Sequence, residues 1–179
     1  MLHTMKLAAT AAALVVTAAG CAVAEQSKMN DQEIAHTAYT AGNLDIRYAH
    51  LALAVSENPS VRAFAQTMIR DHTAVNDEAV ALIGRLKVTP QDNPLSQALV
   101  KGAAEKRTEF MKLSGHAFDC AYATNEFGYH QVVNQTVAGT FIPQTTVPEL
   151  KHLLEGALVT FRAHEKHAET MVKGLKCGA

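Results

Sequence analysis

The chain has 179 residues, and its 16 Lys and Arg are balanced by 17 Asp and Glu scattered along its length, which excludes a nucleic-acid partner. It has no Trp, few aromatics, and many Ala and Leu, a composition that favours helices. Its three cysteines include no Cys-x-x-Cys pair, which argues against a zinc ribbon or a thiol-redox enzyme.

The N-terminus reads as an export signal. Lys6 supplies the positive start, and Leu7 to Ala19 is an apolar run shorter than the ~20 residues of a membrane span. Ala22-Val23-Ala24 before Glu25 fits ordinary signal peptidase. The expectation is therefore a signal peptide over residues 1–24 and a single soluble domain over 25–179, exported to the periplasm or cell envelope. The alternative is a lipid anchor on Cys21, since Ala18-Ala19-Gly20-Cys21 resembles a lipobox. No later stretch is apolar enough to make a transmembrane helix in the mature chain. Cleavage after Ala24 leaves Cys120 and Cys177 in a compartment that permits disulfides; the spacing leaves a bridge and two free thiols both open.

The spacing predicts a helix from Asp31 to Ser56 capped by Asn30 or Asp31, then a break at Asn58-Pro59-Ser60. A second helix runs to Lys87 and ends before the turn-rich Thr89 to Pro94. A shorter helix over Leu95 to Leu113 follows, and then a third long one over His116 to Gly139. Ile142-Pro143 to Pro148 is a loop, and Pro148 opens the last helix, which ends near Gly174. No window alternates with the period of a strand. The fold class is all-α: an up-down antiparallel four-helix bundle with an extra short helix between the second and third long ones.

Three apolar seams each carry one ionisable interruption. Val61, Ala65, Met68, His72, Val75, Ala79, Leu82 and Leu86 form one; Leu150, Leu154, Ala157, Phe161, His164, Ala168, Met171 and Leu175 another; Ile34, Ala38, Ala41, Asp45, Tyr48, Ala52 and Val55 the third. On the third long helix Asp119, Tyr122, Glu126, His130, Val133 and Val137 share one arc. Burying such groups is costly unless they are partnered. At 1.5 Å per residue, Asp45 and His72 each lie about 20 Å from the first turn, Glu126 about 20 Å and His164 about 24 Å from the second. With both turns at one end, these residues share a layer, and His130 sits one turn from Glu126.

Histidines and carboxylates converging inside a bundle suit one divalent transition metal, with Zn, Fe, Cu and Mn as candidates. Asp45, His72 and His164 are the candidate inner ligands, completed or supported by Glu126 or His130. Asp71, Asp119 and Tyr122 are candidates to hold those ligands from behind. Their plainer roles are an ion pair of Asp71 with Arg70, a helix cap at Asp119 and a core aromatic at Tyr122. A di-iron carboxylate site needs Glu-x-x-His on two helices, whereas Ile69 and Phe161 stand three residues before His72 and His164. No nucleophile constellation points to an enzyme. The competing function is a non-catalytic envelope bundle, binding a partner or serving a stress or surface role, whose polar layer is a structural hydrogen-bond network.

Several stretches carry a family resemblance: Ala41-Gly42-Asn43-Leu44-Asp45, the run Val61 to His72 ending in Asp71-His72, Ser114 to Tyr122 with Phe118-Asp119-Cys120-Ala121-Tyr122, His130-Gln131, and His164. Together they resemble the bacterial exported family known as domain of unknown function 4142, placed among ferritin-like proteins. The resemblance implies a ferritin-like bundle in the bacterial envelope, with weight on Asp45, Asp71, His72, Asp119, His130 and His164. Asp45 stands where that family usually has Glu. No established activity comes with the resemblance.

Overall fold

A computed structural model describes residues 28–178, and among them the only regular structure is helical. The signal-peptide expectation for residues 1–24, including Cys21, lies outside the described residues. Three of the helices start on an asparagine that satisfies their first free N–H groups. Asn30 forms a capping box with Glu33 and opens α1 (Asp31–Val55). Asn58, followed by Pro59, opens α2 (Pro59–Leu86), and Asn93, followed by Pro94, opens α3 (Pro94–Phe110). α4 (Gly115–Thr136) runs directly into a π-helical turn, Val137–Phe141, and then into the short α5 (Ile142–Gln144). α6 (Pro148–Leu175) closes the chain.

α1 packs on α2 and α4 on α6; the two hairpins join through α2 against α6 and α1 against α4, while α3 lies outside against α1. This is the expected four-helix bundle with an extra helix. One expectation is corrected. The hydroxyl of Ser56, at the α1–α2 turn, donates to Asp119 near the start of α4. Asp31, at the start of α1, accepts from the Thr146 N–H in the loop before α6 at 2.9 Å. The two hairpin turns therefore lie at opposite ends. The cause is α3, whose 17 residues climb about 25 Å beside α1 and deliver the chain to the other end before α4 begins.

The apolar core is split in two. One cluster, around Phe64, Met68, Phe118, Tyr122 and Met171, fills the end nearer the α1–α2 turn. The other, around Ile34, Leu82, Phe141, Leu150 and Leu154, fills the opposite end. Asp45, His72, Glu126, His130 and His164, all buried, occupy the level between them. A disulfide joins Cys120 to Cys177, with Cα atoms 5.3 Å apart, and pins the end of α6 to the first turns of α4.

Candidate metal centre

Because the layer lies near mid-length, the distances measured from either end meet, and the reversal of the second hairpin does not disperse it. Asp45 on α1, His72 on α2, Glu126 and His130 on α4, and His164 on α6 are all buried. The His72, His130 and His164 rings have centroids 5.3–5.7 Å apart. Each of the three offers a donor atom, and those donors lie within 4.8 Å of one another. Asp45 Oδ2 is 2.9 Å from His72 Nε2 and 3.3 Å from His130 Nε2. Asp45, Glu126 and His130 form a second such group. The two groups share His130.

The other faces of two rings are already committed. His130 Nδ1–H donates to the Glu126 carbonyl at 2.9 Å, which leaves Nε2 turned toward Asp45. His164 Nε2–H donates to Asp71 Oδ2 at 2.9 Å, which leaves Nδ1. Asp71 also accepts from Arg70 Nε at 2.7 Å. Arg70's hydrogen bond, and after it that of His164, keeps the Asp71 carboxyl ionised below the usual range. A backing carboxylate or carbonyl on the remote nitrogen is how metal-binding histidines are oriented. His72 stacks flat on Phe161, ring centroids 4.7 Å apart, which sets its plane.

The unpaired atoms decide what the cluster fits. His72 Nδ1 and Nε2, His130 Nε2, His164 Nδ1, both oxygens of Asp45 and Glu126 Oε2 are buried without a properly directed hydrogen bond. The short His72–Asp45 separation is therefore proximity without alignment: the N–H does not point at the oxygen. A polar network built for stability would be satisfied, because each orphaned buried group costs free energy. Buried donor atoms without hydrogen-bond partners, grouped within 4.8 Å, are what a cation requires. In a tetrahedron with bonds of about 2.1 Å, ligand atoms stand roughly 3.4 Å apart, close to the Asp45–His130 separation.

Electrostatics agree with that donor set. Burial holds His130 below the ordinary imidazole value, and burial takes His164 down to about 4, so both are neutral donors at pH 7. Burial alone would raise Asp45, but the neighbouring His72 and then His130 more than offset this and keep its carboxyl low. Glu126 moves the other way: burial, followed by the Asp45 charge, pushes it well above the usual range. It is therefore a neutral acid beside an ionised Asp45.

Asp119 holds no histidine and caps no helix; it accepts from Ser56 at the bundle end. Tyr122 sits among Phe64, Phe110 and Phe118, its hydroxyl without a partner and, through burial and then Glu126, hard to ionise. Tyr129 donates instead to the Ala41 carbonyl at 2.9 Å. His116, His152 and His167 are exposed. Two residues of this layer escaped the sequence reading: Asn76 and Asn134, both buried. Each follows a histidine by four residues, and that i, i+4 spacing was the available signal.

Fold and site together define an antiparallel helical bundle with a buried histidine–carboxylate pocket at its middle. The chain belongs to the family described as domain of unknown function DUF4142, whose model it matches over residues 16–171. No curated protein matches it. Among solved structures it is similar to one titled "CopM in the Cu(II)-bound form", with a TM-score of 0.62, 16% identity, and coverage of 82% of this chain and 98% of that one. At that identity the likeness is one of fold. No described helix is long and apolar enough to cross a membrane.

Proposed function

We propose that this is an exported bundle of the bacterial envelope that holds one divalent transition metal at mid-height, on His72, His130, His164 and Asp45. The observation carrying the reading is the set of orphaned, buried donors from four helices within 4.8 Å groups. Asp71 orients His164, and Glu126 supports Asp45 as a neutral acid. The leader-like N-terminus supports export, and the crossover helix supports kinship with ferritin-like bundles, which also use one long connection. Three imidazoles and a carboxylate suit Cu(II) and Zn(II), with copper the tighter by the general affinity order. The Cu(II)-bound state of the similar structure makes copper the first ion to test.

The test uses untagged protein stripped with a chelator. After exposure to Cu(II) or Zn(II) and desalting, elemental analysis should find one ion per chain, and none in His72→Ala or His164→Ala. Metal at 100 times its Kd should stabilise the wild type by about 2.7 kcal/mol. No retained metal, with melting unmoved by any ion, would overturn this reading in favour of a structural polar layer.

A further inference from the structure

Below the ring of donors, on the side of the π-helical turn, the bundle contains a second feature that extends beyond the metal site. A cavity of about 100 Å³ lies between α1, α2, α4 and α6, with His72 and His130 in its wall at one end and Phe141 and Leu150 at the other. Its lining is almost wholly apolar: Ala38, Ala79, Val133, Leu154 and Ala157 are typical. Small side chains create the room, for alanines recur where larger residues would close the seam. Val132, 62% exposed, belongs to the same wall and marks where the cavity approaches solvent beside Leu95 and Leu99 of α3.

Of the polar residues that line it away from the donors, Thr37, Tyr39, Asn76, Tyr129 and Thr136, Asn76 alone carries a buried side-chain atom without a hydrogen-bond partner. Asn76 is 7% exposed, and its Nδ2 has no hydrogen-bond partner. Its position is enforced by a close approach: a Cβ on Gly42 would lie 2.6 Å from Asn76 Oδ1, so the amide occupies room that only glycine leaves. An unpaired buried N–H donor is costly to maintain. Here it stands in the wall of an apolar space, as a single anchor point does in small-molecule sites.

We propose that this cavity is a binding pocket for a small neutral molecule, apolar apart from one hydrogen-bond acceptor that meets Asn76 Nδ2. An engineered apolar cavity of about 150 Å³ stays dry and takes benzene, so this one fits about five heavy atoms or fewer. Away from the two histidines, charged ligands are excluded, since nothing in the apolar wall there would repay their desolvation. The pocket shares the walls of His72 and His130 with the metal site, but its anchor at Asn76 and its apolar far end, at Phe141 and Leu150, are not part of the donor set.

The experiment uses metal-free protein with labelled methyl groups, followed by NMR. Xenon probes the volume, and butanone probes volume and anchor together. Both should shift the methyl signals of Ala38, Ala79, Val133 and Leu154 saturably. Asn76→Leu should leave the xenon response intact and weaken butanone about tenfold, the scale of one hydrogen bond. Ala157→Phe should abolish both responses; Ala79→Leu serves the same purpose if the larger substitution does not fold. Methyl signals unmoved by xenon in the wild type would overturn the pocket. Equal butanone affinity in wild type and Asn76→Leu would overturn the anchor and with it the proposed ligand class.

Discussion

Acidification of the metal-free protein provides the sharpest check on the electrostatics of the polar layer. Burial takes His164 from an ordinary 6.5 to about 4. Above pH 6.5 the imidazole is neutral in folded and unfolded chains alike and contributes nothing to the pH slope. Between about 6.5 and 4 the unfolded chain takes up a proton that the folded one refuses, so stability falls as pH falls. The difference of 2.5 units, at 1.36 kcal/mol each, sets a ceiling of about 3 kcal/mol. His130, held low by burial, and Asp45, held low by the histidines, act with the same sign. Glu126 acts with the opposite sign, because its raised value favours the folded state in acid. A comparison with His164→Gln cancels these shared contributions. Urea unfolding with chelator present, at steps from pH 7.5 to 4, should show the wild type losing up to ~3 kcal/mol more than the variant. Parallel pH curves for the two proteins would refute the claim that His164 is buried and neutral.

Three other outcomes follow from features described above. Reducing the Cys120–Cys177 bridge, which closes a separation of 57 residues, should cost about 4 kcal/mol on chain-entropy grounds and lower Tm by roughly 8–16 °C; a shift below about 2 °C in a thermal melt would contradict this. Asp71→Asn removes the charge behind His164 and should weaken metal affinity by about 10–100-fold, while calorimetry still finds one ion per chain. Gly42→Ala should destabilise by about 1–3 kcal/mol through collision with Asn76, despite alanine's better helix propensity. In an Asn76→Ala background the same change should become neutral or stabilising, and a double-mutant cycle in urea tests the coupling.

The fold was legible because its signals are local. Asn-Pro steps at 58–59 and 93–94 and a Pro at 148 mark helix starts, and apolar seams fix which faces turn inward. Asp45, His72 and His164 stood out because each interrupts such a seam, and burial of all three follows from that placement. The direction of the second hairpin was a harder matter, since it depends on whether α3 turns back or climbs. Its length of 17 residues, about 25 Å, was the clue, because a segment that long beside α1 must change ends. His130 rather than Glu126 joins the three-imidazole group, which rests on side-chain directions that spacing along a helix does not determine. The same is true of Asp71: its Cα lies off the seam, yet its carboxylate reaches across to His164 while keeping Arg70. The π-helical turn at Val137–Phe141 had no sequence counterpart in a reading based on a 3.6-residue period.

Turns at opposite ends make helix length a functional measurement in this protein. The α1–α2 donors are gauged from one end of the bundle and the α4–α6 donors from the other, so the two sets agree in height only when both hairpins keep their reach. Adding one helical turn, about 5.4 Å, between Asn58 and His72 would carry that imidazole past its neighbours, whereas lengthening the loop before Pro148 would leave them level. Tolerance to insertion is thus expected in the connections and forbidden along the rods, a rule imposed by the topology rather than by packing.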